Sequence, residues 1–263
     1  MGGRWPLRAA TAGVVAFLHF PILVIALYAF NADRAQAWPI RDWTTHWFGD
    51  ALANPGVRDA LLLSLQAGLG ATAIALLLGT LAAFAVHRFR FFGRETVSFL
   101  LVLPLALPGI VTGMALNATI NTASLGFSLF TIIAGHATFC VVTVYNNVLA
   151  RLRRSSGSLE EASMDLGADT WQTFRFVTLP VIATALLAGG LLAFALSFDE
   201  VIVTTFTAGT QETLPLWIYD HIHQANQRPI VNVVAVAMIL LSSIPVYLAA
   251  RLTGEPAGVS GAR

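Results

Sequence analysis

Lysine is absent. All fifteen basic residues are arginine, so a G-x-x-x-x-G-K-[ST] phosphate loop, which needs its lysine on the β- and γ-phosphates, has no place in this chain. Any ATP hydrolysis the protein depends on must come from another polypeptide. Cysteine occurs once, as Cys140 inside an apolar stretch. That excludes an intramolecular disulfide and a cysteine-rich metal site, and Cys140 reads as packing. Charge is scarce too: 11% of residues are charged, against about 25% in soluble domains. With 56% hydrophobic residues and a mean hydropathy of +0.72, a soluble enzyme is a poor reading. The net charge of +1 comes with no nucleic-acid signature. Neither H-E-x-x-H nor G-x-S-x-G occurs, which leaves a membrane-embedded hydrolase without support.

What is present is hydrocarbon. About 20 residues of helix cross the roughly 30 Å core of a bilayer, and helices satisfy their own backbone groups there. Six segments qualify, near 10–30, 60–86, 97–117, 127–150, 180–204 and 230–250, and predict one all-α membrane domain over 1–251. An even number of spans puts both termini on one side. Arg4, Arg8, Arg88, Arg90, Arg94, Arg151, Arg153, Arg154, Arg175, Arg251 and Arg263 share that side, against Arg34, Arg41, Arg58 and Arg228. By the positive-inside rule the first group is cytoplasmic. Ala35-Gln36-Ala37 after the first span resembles a signal-peptidase site, but the apolar run is longer than a signal sequence needs and reads as a retained anchor. Pro104 and Pro108 interrupt the third span and predict a kink or break. Gly68, Gly70, Gly79, Gly189 and Gly190 offer close helix approaches.

Two outward segments are too long to be turns. Residues 31–57 carry Trp38, Trp43, Trp47 and Phe48, which suits an interfacial aromatic collar. Residues 206–229 contain a short amphipathic stretch ending at Asp220, His221 and His223. The two histidines lack an evident third metal ligand. The glycine-rich tail 252–263 is predicted to be disordered.

The loop 151–179 reads as structure rather than linker. Ser158 and Glu161 have the S-x-x-E spacing of a capping box, and Gly167 suits a left-handed helix end. Asp169 and Gln172 offer a second cap, and Pro180 sits where a new helix tolerates its missing N–H. Two short helices joined at Gly167 are expected, projecting from the cytoplasmic face.

Glu161-Ala162-Ser163, then Gly167 after three residues, then Val177-Thr178-Leu179-Pro180 after nine, resembles the EAA motif of ABC-importer permeases. Ser163 stands for the second alanine and Val177 for the isoleucine. The resemblance implies a MetI-like type I importer fold in the bacterial cytoplasmic (inner) membrane. It assigns Glu161, Ala162, Ser163, Gly167, Leu179 and Pro180 to coupling with an ATPase subunit. It also implies paired ATPase subunits that bind ATP and Mg, a second permease subunit, an extracytoplasmic substrate-binding protein, and no cofactor on this chain. Glu161 and Gly167 also cap and end their own helix, and the two roles are compatible. Further pieces, among them Trp43-Thr44-Thr45-His46-Trp47, Gly135-His136-Ala137-Thr138-Phe139-Cys140 and Leu214-Pro215-Leu216-Trp217-Ile218-Tyr219, look like the PotC-type permeases of spermidine/putrescine importers.

Asp199 and Glu200 give polyamine cargo a physical basis. Nineteen helical residues beyond Pro180 rise about 28 Å, so the pair lies near the outer end of the fifth span. Carboxylates inside a membrane are costly and usually face partners or water. Successive residues point about 100° apart, so one of the two is expected to face a shared path while the other flanks it. Alternatively both lie in solvent beyond the hydrocarbon. Trp217 and Tyr219 offer cation-π faces to an ammonium chain, or interfacial anchors. An importer of ferric ion, thiamine or another amine remains a competitor, as does a secondary transporter or channel, although no internal repeat is evident.

Overall fold

The computed structural model describes residues 5–253. Arg4, Arg263 and all but Leu252 and Thr253 of the predicted tail lie outside the described residues. The chain is helical: α1 (Trp5–Tyr28), α2 (His46–Ala53), α3 (Pro55–Arg88), α4 (Arg94–Ala106), α5 (Gly109–Thr122), α6 (Leu129–Arg154), α7 (Ser158–Asp165), α8 (Thr170–Thr173), a π turn (Phe174–Thr178), α9 (Leu179–Phe198), α10 (Ile202–Thr207), α11 (Leu214–His221) and α12 (Arg228–Thr253). Among the described residues, five helices are long and apolar enough to cross a membrane, and α4 with α5 meet the same measure only as a pair, bent by 102° at the break between them, which is the geometry of a broken span or a re-entrant loop.

Proline explains that bend. The residue before a proline is pushed out of the helical region, and Leu107 is extended (φ −79°, ψ 143°) ahead of Pro108. Pro104 stays inside α4, so of the two prolines only Pro108 breaks the span. The boundaries also differ from the hydropathy reading. α3 starts at Pro55 rather than near residue 60 and runs 34 residues, or about 51 Å at 1.5 Å per residue, well beyond the hydrocarbon thickness. α9 ends at Phe198 instead of continuing to Thr204.

The packing divides the chain into two units, one comprising residues up to Leu61 with Leu216–Leu241, the other Leu62–Pro215 with residues from Ser242 onward. In the first unit, α1 buries none of its side chains, which for an apolar helix requires a hydrocarbon or protein surrounding. The loop after it is tied down by an isolated bridge between Asn31 and Trp43. Trp47 Nε1 donates to Asn31 O at 2.9 Å, and the Arg34 guanidinium lies 5.3 Å from the Trp47 ring centre. Trp38 and Trp43 are exposed as a collar requires, whereas Trp47 is buried and holds the loop together.

The second unit contains the main core, built from α3, α6 and α9 with α4 packed against them. Its buried members include Ala71, Ala75 and Ala83 of α3, Cys140, Val144, Tyr145 and Val148 of α6, and Ile182 and Ala193 of α9. On α3, Ala67, Ala71, Ala75, Gly79 and Ala83 recur every fourth residue and form a stripe of small side chains. Such stripes let membrane helices meet at backbone distance. A Cβ on Gly79 would lie 2.8 Å from Val141 O and 3.0 Å from Tyr145 N, both backbone atoms of α6. Cys140 is buried in this core, its thiol 3.3 Å from Ala193 O.

Candidate functional site

The two ends of α9 hold the residues singled out by sequence. At its N-terminal end stands the helical hairpin. α7 begins one residue later than a Ser158 cap requires: Gly157 is the cap position and Ser158 the first helical residue. Already helical, Ser158 cannot aim its hydroxyl at the N–H of Glu161, which bonds Gly157 O instead at 3.1 Å. The Ser158 hydroxyl pairs with Ser156 Oγ. The predicted Ser158–Glu161 box is therefore replaced by a local serine turn. The other two signals form as their chemistry demands. Gly167 has φ +88°, and the Gly167 N–H to Met164 O and Ala168 N–H to Ser163 O bonds complete a Schellman closure. Asp169 Oδ1 accepts from Gln172 N–H at 2.8 Å while Gln172 Oε1 accepts from Asp169 N–H at 2.9 Å, a reciprocal capping box.

The second helix of the hairpin does not stop before the membrane. Thr170–Phe198 is one run of 29 residues, widened to a π turn at Phe174–Thr178. Pro180 lacks the N–H that an α turn needs and its ring crowds the preceding turn. A wider turn just ahead accommodates both, and such π segments recur at functional sites. Ser163 Oγ lies 3.2 Å from Thr173 Oγ1 and joins the two arms. Glu161, Ala162 and Gly167 face outward, Ser163 is half-buried, and Leu179 and Pro180 are exposed at the base. Leu159, Met164, Leu166 (90% exposed) and Trp171 (64%) make the same projection apolar.

Sequence reasoning passed over Glu160. Its Oε2 accepts from Arg88 Nη2 at 2.9 Å and its Oε1 from Thr178 Oγ1 at 2.6 Å. The available signal was the Glu160–Glu161 doublet, since adjacent helical residues cannot face the same surface.

About 30 Å along α9, the helix ends where Asp199 takes a non-helical conformation. The two acids then separate. Glu200 Oε1 accepts from Val203 N–H at 2.8 Å and so caps α10, while Asp199 stays exposed. α10 is fastened on several sides. Asn117 Nδ2 donates to Phe206 O at 2.7 Å, and Thr131 Oγ1 shares its one proton between Ser128 O at 2.7 Å and Thr207 O at 2.8 Å. Gly113 makes room for the Phe206 ring, which would lie 2.4 Å from a Cβ there.

The fully buried His136 joins α6 to both elements of this break, its Nδ1 2.7 Å from Ser197 Oγ and its Nε2 2.8 Å from Thr204 Oγ1. Thr204 Oγ1 spends its proton on Glu200 O at 2.8 Å. A hydroxyl has one proton, so it accepts from His136 Nε2–H, and in the neutral ring Nδ1 accepts from Ser197. Sequence reasoning noted His136 only within a matching stretch.

In the other unit, Trp217 is buried, stacked on His221 with ring centres 4.3 Å apart. Its Nε1 would lie 3.2 Å from a Cβ on Gly56. Tyr219 is exposed. Among the described residues no group of three His, Cys, Asp or Glu side chains is placed to hold a metal, so His221 and His223 gain no third ligand.

Apolar helices of crossing length, one of them continuous with a capped hairpin, define a polytopic membrane protein. The chain belongs to the binding-protein-dependent transport system inner membrane component family, whose model matches residues 75–254. It is similar to the putrescine transport system permease protein PotI of Escherichia coli (strain K12), 34% identical over 250 residues, with 89% of this chain and 87% of that protein covered. The spermidine/putrescine transport system permease protein PotC of Haemophilus influenzae is 32% identical over 253 residues, with 95% and 97% covered. Among solved structures, a chain of a bacterial ABC transporter involved in the import of the acidic polysaccharide alginate has a TM-score of 0.70 at 18% identity, covering 90% of this chain and 92% of that one, a likeness of fold.

Proposed function

We propose that this chain is the permease subunit of an ATP-driven importer that moves polyamines into the cytoplasm, with both termini and the hairpin on the cytoplasmic side. The observation that carries the cargo assignment is Asp199: an exposed carboxylate at the broken end of α9, remote from the hairpin, beside a Glu200 already committed to capping α10. A chain of ammonium groups needs acids of this kind, and the names of the putrescine and spermidine permeases it is similar to support the same cargo. Tyr219 offers an exposed ring to such a chain, whereas Trp217 presents a ring that is largely covered.

In this reading a loaded binding protein docks outside, and ATP and Mg on a separate pair of ATPase subunits close them around the hairpin. Glu161, Ala162 and the apolar Leu166 and Trp171 meet the ATPase, and Ser163 and Gly167 keep the hairpin rigid. Leu179 and Pro180 mark where its second arm becomes α9. A second permease subunit completes the path, and this chain binds no nucleotide itself. Uptake of radiolabelled spermidine and putrescine by cells expressing the transport system tests the cargo. Asp199→Asn is expected to reduce uptake about tenfold or more, the effect of losing one charge-assisted contact of about 1.5 to 3 kcal/mol, with the ATPase still retained on pull-down. Wild-type cells that retain the ATPase but take up neither polyamine would point to another solute, such as thiamine, a ferric ion or a different amine.

A further inference from the structure

The motif that resembles the EAA sequence starts at Glu161, yet the carboxylate that the fold engages is one residue earlier. Glu160 and Glu161 point about 100° apart around α7. Glu161 is exposed, while Glu160 turns back toward the bundle. Its two oxygens are divided between two other elements. One takes Arg88, in the last turn of α3, at 2.9 Å. The other takes Thr178, the last residue of the π turn, at 2.6 Å. These partners lie 72 and 18 positions away in the chain, so the clasp joins elements that sequence keeps apart.

α7 buries none of its side chains. Among the described residues, beyond its chain connections and the Ser163–Thr173 contact, Glu160 carries the polar attachment of α7 to the membrane helices. A partly exposed ion pair contributes little to folding stability. A carboxylate shared by two donors on two elements does something else, because it fixes three positions at once. Glu160 itself borders a cavity of about 50 Å³ between α7, the end of α3 and the π turn, lined also by His87, Gly157, Val177 and Thr178. Thr178 also stands in the one irregular turn of the helix that continues into α9, where a pull meets the least regular backbone.

We propose that Glu160 is the positioning residue through which displacement of the hairpin reaches α3, by way of Arg88, and α9, by way of Thr178. This rests on the reading of the chain as the permease of an ATP-driven importer. Transmission between distant sites needs a physically connected element with more than one arrangement. The clasp supplies that connection, and Glu161 remains free for the partner.

The test uses the full chain assembled with its partner subunits in proteoliposomes, with cargo uptake and ATP turnover read from the same vesicles. Glu160→Ala is expected to lower uptake per ATP hydrolysed about tenfold, within the usual span of coupling between sites, while the ATPase subunits still co-purify. Arg88→Ala is expected to do the same. The exchange Glu160→Arg with Arg88→Glu re-forms the ion pair but leaves Thr178 without its acceptor, so it is expected to restore coupling only in part, above either single substitution, which loss of folding could not produce. An unchanged ratio in Glu160→Ala overturns the proposal. So does loss of ATPase co-purification in Glu160→Ala to the extent seen in Glu161→Ala, since Glu160 would then be a partner contact. A wild-type chain that co-purifies with no ATPase contradicts the importer reading itself, which separates the two failures.

Discussion

Gly79→Leu is expected to leave almost no folded protein in detergent, measured as the monodisperse fraction on fluorescence-detected size exclusion. At most glycines in the membrane helices the nearest neighbour is a side chain that can rotate away, as with Phe194 beside Gly68 and Ile133 beside Gly70. At Gly79 the nearest atoms are Val141 O and Tyr145 N, so the only relief is to move α3 off α6. Overpacking that side chains can absorb costs about 1 to 3 kcal/mol, and a backbone collision lies at or above that range. Separating the two helices also opens the core that buries Ala75 and Ala83 of α3 together with Val144 and Val148 of α6. Gly68→Ala, which meets only the edge of the Phe194 ring at 3.0 Å, is the control expected to retain most of the folded fraction.

His136→Ala is expected to produce the second large loss, seen as a drop in the detergent melting temperature together with lost uptake. Each interhelical hydrogen bond inside a membrane contributes about 0.6 to 2 kcal/mol, and this substitution removes two and leaves a void among α6, α9 and α10. The functional consequence exceeds the energetic one because of what the imidazole holds. Ser197 belongs to the last turn of α9 and Thr204 to α10, so the ring spans the break at which Asp199 is exposed. Without it Thr204 keeps only its bond to Glu200 O, and α10 relies on Asn117, Thr131 and the Glu200 cap. Asn117→Ala removes one fastening while His136 stays, and is expected to cost less in both measurements.

Hydropathy located the spans because a bilayer imposes its thickness on any helix that crosses it. The capping chemistry at Gly167 and Asp169 was legible because it is local, each bond closing within a few residues. Ser158 failed on a one-residue question, since three serines and a glycine at 155–158 give the helix start several nearly equal choices. The end of α9 was misplaced because Val201–Phe206 is apolar and a hydropathy window runs through it. The better signal was Asp199-Glu200, two adjacent acids that a continuous buried helix would not accept. Pro108 announced a break, although its 102° angle depends on the packing of α5 against α10, where Gly113 meets Phe206. Glu160 and His136 escaped for one reason: their partners lie at least 18 residues away, and a side chain's distant partner leaves no mark on the local pattern. Trp47 illustrates the same point, counted among collar residues but held inside by Asn31 across 16 positions.

The most direct test of the importer reading is cargo uptake into proteoliposomes holding either this chain with its partner subunits or the permease subunits alone, with ATP, a proton gradient or a sodium gradient supplied in turn. Uptake only with ATP, and only when the ATPase subunits are present, is the result expected of a chain that has no phosphate loop and joins its hairpin directly to α9. Uptake by the permease subunits alone under an ion gradient would contradict it, and would identify a secondary transporter that shares the importer fold.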